Sequence, residues 1–211
     1  MRFSDPDMRE LLRDPERFVR RRLADSSKGF NYIPRAWFEA AIAAYFENGR
    51  SASRAQEVFR ALQPGRKGIT DWKRQHAASM LRMLERFIET DQRDPIPTVA
   101  LFQRRPRATP FYGHEMAVRM DLWCPGKTNI LRVLWTDQRS RLGTKGTTSR
   151  VAALLAHGRA HVPEQIDGVE VWQLRYRQRL LWPARDLEPH LPRIRALMDW
   201  ANDRYGRAAS A

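Results

Sequence analysis

The sequence contains only one cysteine, Cys124, among its 211 residues. A single cysteine cannot form an internal disulfide, and it excludes a zinc site built from several cysteine thiolates. The chain also lacks an uninterrupted apolar stretch of roughly 18 residues, so no membrane-spanning helix is predicted. The opening residues, MRFSDPDMRELL, lack the apolar segment of a secretory signal. These absences lead us to expect a protein of the reducing cytoplasm that does not associate with membranes.

Acidic residues are scarce relative to basic ones. The chain has 24 Asp and Glu against 38 Lys and Arg, which gives a formal net charge of +14. Arginine far outnumbers lysine, and a guanidinium group binds phosphate through a bidentate fork. A polyanion releases counterions when such side chains neutralise its phosphates. The charge therefore predicts a nucleic-acid partner and leaves an acidic protein partner as the alternative. Of the two nucleic acids we expect DNA in preference to RNA.

The spacing of apolar residues predicts helices throughout the first half of the chain. Pro15 is expected to break the first of them, because proline removes a backbone donor and clashes with the preceding turn. The predicted helices begin at Asp5–Pro6, at Pro34 and at Ser51 or Ser53, and a long one spans 70–91. We interpret residues 1–95 as a helical region, and we assign the long helix to the core that follows.

After Pro97 the apolar period changes to that of strands, interrupted by two helices. The predicted strands are 98–103, 114–123, 129–136, 169–176 and 180–182, and the predicted helices are 149–158 and 189–205. The fold class predicted from this order is α+β. A helical region, 1–95, packs on a core, 96–211, that is a small mixed sheet flanked by helices.

Two segments place acidic residues on neighbouring predicted strands. VRMDLW contains Asp121, and ILRVLWTDQRS ends a strand close to Asp137. This layout resembles the core of the PD-(D/E)XK nucleases, above all the RecB-type and CRISPR-associated RecB-like exonucleases. The opening RFSDPDMRELLRDPERFVRR and the later VEVWQLRYRQRLLWP are similar to the start and to the late strands of those domains. The resemblance implies a protein that acts on nucleic acid within a larger DNA-processing or anti-phage defence complex.

The resemblance also implies a magnesium site at Asp121 and Asp137. Two carboxylates can hold Mg²⁺ against a scissile phosphate, and Glu115 has the strand parity to join Asp121 on one face. The resembling nucleases carry a lysine two residues after the second acid, whereas this chain has Arg139. Arginine stays protonated and can stabilise charge, but it cannot act as a general base. Their glutamine-tyrosine helix motif is absent as well.

We therefore expect an impaired catalytic site, with an active Mg²⁺-dependent nuclease that uses Asp121 and Asp137 as the alternative. Purely structural roles stay open for both acids. Asp121 can face solvent on the polar side of its strand, and Asp137 can begin a turn. A different class of function also stays open, namely an adaptor subunit whose basic faces bind an acidic protein or a ribonucleoprotein.

Clusters of basic residues are the predicted phosphate contacts. They are Arg17, Arg20, Arg21 and Arg22 in a helix; Arg66 and Lys67 in a glycine-containing turn; Arg104 and Arg105 beside Pro106; Arg141, Lys145 and Arg150 around a loop; and Arg175, Arg177 and Arg179 at a hairpin tip. The loop RSRLGTKGTTSR combines small residues, hydroxyls and cations just before a helix, a composition that binds phosphate. His157 and His161 have the spacing of a metal-binding pair, but the intervening Gly158 and the lack of a nearby third ligand argue against a metal site.

Overall fold

The computed structural model describes residues 1–24, 33–63, 71–96, 99–101, 108–118, 120–136, 146–162 and 164–209. These residues form an α+β fold, as predicted, with a larger and a smaller β-sheet and helices packed around them. None of the helices in these ranges has the length and apolar character needed to cross a membrane.

The helices lie close to the predicted positions, except for one short helix, Ala184–Leu187, that the sequence did not predict. They are α1 (Asp5–Arg13), α2 (Pro15–Ala24), α3 (Ile33–Glu47), α4 (Ala52–Ala61), α5 (Asp71–Arg93), α6 (Thr147–Arg159), α7 (Ala184–Leu187) and α8 (Leu191–Ala209). The break between α1 and α2 falls at Pro15, as expected. Ser51 caps α4, because its side chain accepts a hydrogen bond from the backbone N–H of Arg54. α1 begins one residue after Ser4, whose N–H and hydroxyl both donate to Asp7 Oδ2.

The strands form one sheet of five and one of three. They are β1 (Arg2–Ser4), β2 (Ala100–Leu101), β3 (Thr109–Phe111), β4 (His114–Ala117), β5 (Leu122–Cys124), β6 (Ile130–Trp135), β7 (Gly168–Gln173) and β8 (Gln178–Pro183). The larger sheet has the order β2-β5-β6-β7-β8. Among the described strands of this sheet, β6 and β7, which α6 connects, run parallel, and the other neighbours run antiparallel. The smaller sheet has the order β1-β4-β3.

The two faces of the five-stranded sheet carry separate hydrophobic cores. Leu131, Val133 and Trp135 of β6 face one core, whereas Leu134 faces the other, as the two-residue period of a strand requires. Helices α1, α2, α6, α7 and α8 pack on the first face, and α3, α4 and α5 on the second. The helices before residue 95 are therefore divided between the two sides of the sheet.

Two strand predictions need correction, and a third is described only in part. The single strand predicted over 114–123 is two strands, β4 and β5, which belong to different sheets because the chain leaves extended pairing between them. β7 ends at Gln173, and the residues after it form a 3₁₀ turn, Leu174–Tyr176, that leads into β8. Of the strand predicted over 98–103, the structure describes 99–101, and Ala100–Leu101 pair with β5.

Candidate nucleic-acid interface and the Asp121 site

Asp121 lies between β4 and β5 with both carboxylate oxygens engaged. Arg35 of α3 donates from Nη2 to Oδ1 at 2.5 Å, and the backbone N–H of Leu134 in β6 donates to Oδ2 at 2.7 Å. Only 7% of the side chain is exposed to solvent. Asp121 therefore joins α3 to the end of a central strand, and it does not point into solvent as one of the sequence-based alternatives predicted.

Arg35 is the centre of this arrangement, and sequence reasoning missed it. Besides Asp121, its guanidinium donates to Glu39 Oε1 at 2.7 Å, to the carbonyl of Leu134 at 2.8 Å and to Thr136 Oγ1 at 3.1 Å. Burial alone would lower the pKa of Arg35, but the charges of Asp121 and Glu39 and their hydrogen bonds outweigh it and raise the pKa. The one signal in the sequence was the i, i+4 spacing of Arg35 and Glu39 on an apolar helix.

The predicted magnesium site does not fit the residues that the structure describes. Both oxygens of Asp121 already accept hydrogen bonds, one of them from a cation. Glu115 is exposed on the three-stranded sheet, so the shared strand face predicted for Glu115 and Asp121 is wrong. Asp137 and Arg139 lie outside the described residues. Within the described ranges, no cluster of three or more His, Cys, Asp or Glu side chains is suited to a metal ion.

The predicted arginine cluster on α2 consists of two pairs, of which Arg21 and Arg22 make contacts within the protein. Arg21 is bonded to Glu10 and, at 2.7 Å, to Asp7, and these two carboxylates raise its pKa against the lowering effect of burial. Arg22 donates to the backbone carbonyl of Arg2 at 2.7 Å. Both side chains therefore hold the N-terminal segment together.

The other two members of the α2 cluster face outward. Arg20 is exposed. Arg17 is 71% exposed and lies 3.3 Å from Glu10. Arg17 and Arg20 are consequently the members of this cluster that a phosphate can reach.

Arg150, predicted to bind phosphate from a surface loop, lies in the interior at the start of α6. It is 8% exposed, and its guanidinium carbon lies 4.0 Å from the centroid of the Trp135 ring. A cation held over an aromatic face is stabilised by the ring quadrupole. The side chain therefore packs against the sheet, which corrects the prediction of a solvent-exposed phosphate contact.

Several predicted contacts cannot be placed. Those that lie outside the described residues are Arg66, Lys67, Arg104, Arg105, Arg141 and Lys145. Of the loop between β6 and α6, only Thr136 and Gly146 are described. Gly146 has a positive φ of 85°, and a Cβ there would lie 3.1 Å from the carbonyl oxygen of Leu12. The phosphate contacts predicted for these six basic residues stay predictions.

The three arginines at the hairpin tip between β7 and β8 differ in their exposure to solvent. Arg179 packs under the tip, where Glu170 Oε1 and Asp94 Oδ2 each accept a hydrogen bond from it at 2.5 Å. Arg175 is exposed, and Arg177 is 68% exposed with Glu89 at 3.5 Å. Arg175 and Arg177 therefore remain accessible at the tip.

A polar cleft of about 500 Å³ lies between α5 and this 3₁₀ turn. It is lined by Gln75, His76, Ser79, Arg82, Met83, Arg86 and Arg175. The α5 members recur at three- and four-residue intervals, which places them on one face of the helix. Among the described residues, three arginines and no carboxylate line the cleft, so these walls are basic.

Arg86 fixes the geometry of this cleft. Its Nη1 donates to the carbonyls of Leu174 and Arg175, at 3.2 and 2.5 Å, and so ties the 3₁₀ turn to α5. Arg82 is exposed one turn earlier on the same helix. Sequence reasoning noticed Arg175 but missed Arg82 and Arg86, because they are spaced along a helix and do not form a run of basic residues. The stripe Gln75–Ser79–Arg82–Arg86, which contains no acid, was the available signal.

Comparison with known proteins adds no relative. A scan against protein-family models found no match, and a search of curated protein sequences found none either.

Proposed function

We propose that this protein binds the sugar-phosphate backbone of nucleic acid, DNA in preference to RNA, through the α5 cleft. The observation that carries the proposal is the convergence of Arg82, Arg86 and Arg175 in a cleft whose lining, in the described part of the chain, includes no carboxylate. Guanidinium groups bind phosphate oxygens in pairs of parallel hydrogen bonds. The net charge of +14 adds long-range attraction for a polyanion. The exposed Arg177 extends the basic surface beyond the cleft.

The experiment is a fluorescence-anisotropy titration of labelled duplex DNA, single-stranded DNA and RNA over about 50 to 200 mM salt, the range in which backbone contacts lose most affinity. The test variant is Arg82→Ala/Arg175→Ala. The matched control is Arg193→Ala/Arg207→Ala, which removes the same charge from exposed positions on α8, across the sheet. We expect the test variant to lose affinity for all sequences and the control to change little. Equal losses of affinity in both variants would show that the net charge of the protein, and not the cleft, accounts for nucleic-acid binding.

We further propose that the protein does not cleave its ligand and acts in the cytoplasm within a larger DNA-processing or defence complex. The resemblance to PD-(D/E)XK nucleases rests on the order α5, β2, β5, β6, α6, β7 along the chain, into which β3 and β4 of the smaller sheet are inserted after β2. The ion pair of Asp121 with Arg35 supports the loss of metal-dependent cleavage. Labelled DNA incubated with millimolar Mg²⁺ or Mn²⁺ should stay intact. Degradation by the wild type that disappears in Asp121→Asn would contradict this part of the proposal.

A second candidate function is the adaptor, favoured by the edge strand β8. Leu180 and Leu181 are 45% and 53% exposed there, and Arg175 and Arg177 lie at the same hairpin. An exposed strand edge can accept an extended segment as an added strand, and the basic hairpin suits an acidic one. Leu180→Ser/Leu181→Ser, which removes the apolar surface without changing the charge, should weaken co-purification of an acidic protein partner and leave nucleic-acid binding unchanged. Retention of the partner by this variant would count against the adaptor function.

A further inference from the structure

The C-terminal end of α6 places two histidine side chains side by side. The ring centroids of His157 and His161 are 4.5 Å apart, with 67° between the ring planes. Gly158, which in the sequence argued against a metal site here, lies inside the helix, because α6 continues to Arg159. The Nε2 atom of each ring is buried and has no hydrogen-bond partner among the residues that the structure describes. Buried polar atoms are nearly always paired, so two orphaned ring nitrogens at one position point to a ligand.

Thr109 of β3 fixes the protonation of His157. Its hydroxyl donates to the carbonyl of Met116 at 3.2 Å, so the same oxygen accepts a hydrogen bond from His157 Nδ1, which lies 2.8 Å away. A neutral imidazole carries one proton, and because Nδ1 holds it, Nε2 presents a lone pair. An imidazole that binds a metal through one nitrogen donates its remaining N–H to a neighbouring acceptor in the same way. The side chain of His157 therefore has the arrangement of a metal ligand.

A thioether lies beside the same turn. Met120 packs against the core on this side of the sheet, with its Sδ 3.5 Å from the point where a Cβ of Gly158 would stand. Its side chain has three rotatable bonds and a polarisable sulfur. Two imidazoles that share an ion at about 2 Å from each nitrogen have centroids roughly 4.5 to 5.5 Å apart when the angle at the ion is about 90° to 120°. The observed separation fits this range, and such an angle leaves a position for the sulfur.

We propose that His157, His161 and Met120 form a binding site for monovalent copper, Cu(I). All three ligands are neutral, and within the described ranges no Asp, Glu or Cys side chain forms a metal-binding group with the two histidines. The ligands therefore do not neutralise the ion, and the cost of burying an ion rises with the square of its charge, which disfavours Zn²⁺ and Cu²⁺. Thioether ligands select Cu(I), and imidazole also suits copper.

The surroundings of the site admit a cation. His161 is partly exposed and follows the exposed Arg159 and Ala160, so an ion can enter from this side. The site lies at the C-terminal end of a helix, where the partial negative charge of the helix dipole stabilises a cation. The proposal is independent of nucleic-acid binding, because this end of α6 and the α5 cleft lie on opposite faces of the five-stranded sheet.

The test is an anaerobic titration with Cu(I) at pH 7 in competition with bicinchoninate, a chromogenic Cu(I) chelator. The wild type should bind one Cu(I) per chain, and so should Cys124→Ala, which excludes capture by the single thiol. Loss of a ligand should weaken binding by at least about 100-fold in His161→Gln and by about 10-fold in Met120→Leu, which keeps the size of the side chain. The matched control is His190→Gln, because His190 lies near Ser149 at the other end of α6 and should not contribute.

Nitrogen-15 NMR of the histidine side chains identifies the ligand atoms, because Cu(I) is diamagnetic. Cu(I) should shift the Nε2 resonances of His157 and His161 and leave Nδ1 of His157 protonated. Unchanged Nε2 resonances would overturn the proposal, since these nitrogens would then contact only buried water. If His161→Gln does not fold, Met120→Leu and the wild-type spectra decide.

Four results of the titration would also overturn the proposal. They are the absence of stoichiometric Cu(I) binding, wild-type affinity in His161→Gln, loss of binding in Cys124→Ala, and Zn²⁺ binding as tight as that of Cu(I). The last result would show that the charge of the ion does not limit binding at this position.

Discussion

Arg35 and Asp121, 86 residues apart in the chain, form a buried ion pair with 2.5 Å between Nη2 and Oδ1. Each side chain is 7% exposed. Arg35 belongs to α3 and Asp121 precedes β5, so the pair fixes one helical layer against the five-stranded sheet. Removing one partner of such a pair leaves an uncompensated charge in the interior, which is costlier than losing an exposed contact.

Asp121→Ala should lower the free energy of unfolding by about 3 kcal/mol or more, the range found when one partner of a buried pair is removed. The backbone N–H of Leu134 loses its acceptor in the same substitution. The control is Asp186→Ala, which removes an exposed carboxylate 3.6 Å from Arg185 and should cost less than about 1 kcal/mol. Urea unfolding of both variants measures the difference. Similar losses in the two would show that the pair is not buried in solution.

Arg82→Ala and Arg86→Ala should separate binding from structure in the α5 cleft. Both should weaken nucleic-acid binding and reduce the slope of log affinity against log salt by about 1, as expected for one lost phosphate contact. Only Arg86→Ala should also destabilise the fold, by about 1–2 kcal/mol, because it loses charged hydrogen bonds to two backbone carbonyls. Anisotropy titrations and urea unfolding measure the two effects. An unchanged salt slope in Arg82→Ala would remove that side chain from the interface.

Two glycines in helices should respond oppositely to alanine. A Cβ at Gly158 of α6 would come within 2.8 Å of Ile166 Cδ1 and 2.9 Å of Leu131 Cδ2. Gly158→Ala should therefore cost about 1–3 kcal/mol through overpacking. A Cβ at Gly206 of α8 meets no atom within 4 Å, so Gly206→Ala should stabilise by up to about 1 kcal/mol through helix propensity. Thermal unfolding of both variants measures these changes in stability. Stabilisation by Gly158→Ala would contradict the close packing at that position.

The stability of the protein should fall on acidification because of His157. Burial, followed by the charge of the neighbouring His161, lowers the pKa of His157 from its ordinary 6.5 to about 4. The unfolded chain therefore takes up a proton between these values and the folded chain does not. Stability is full above about pH 6.5 and is lost as the pH falls toward 4, by roughly 3 kcal/mol at most at 1.36 kcal/mol per unit.

The measurement is urea unfolding at several pH values for the wild type and His157→Gln. The carboxylates titrate in both proteins, so the difference between the two curves isolates the histidine. The wild type should lose more stability than His157→Gln between pH 6.5 and 4. Parallel curves would mean that His157 takes up a proton in the folded protein.

Most secondary structure was predictable because it depends on local spacing. The break at Pro15, the long α5 and strand β6 all follow from the period of nearby apolar residues and from proline. The strand predicted over 114–123 was wrong because alternation records which residues are buried and does not record which sheet buries them. The 3₁₀ turn at Leu174–Tyr176 was predicted as strand for a similar reason, since its apolar residues continue the pattern of β7.

The candidate sites were less predictable. Asp121 was identified from its place beside a strand, but its partner Arg35 lies in a helix far earlier in the chain, and no local pattern links them. Arg150 follows a polar run in the sequence, Thr147–Ser149, yet the ring of Trp135 covers it in the fold. A basic residue in a polar segment is exposed only if no other element packs over it.

The sequence by itself determined the α+β class, the positions of the helices and the net positive charge, because local propensity and composition fix these properties. Tertiary structure alone decided which charged side chains are paired inside the protein and which a ligand can reach. It divided the N-terminal helices between the two faces of the sheet and thereby brought Arg35 to Asp121. It also placed Arg82, Arg86 and Arg175 in one cleft. These assignments depend on contacts between residues about 90 positions apart, which form only when the helices pack against the sheet.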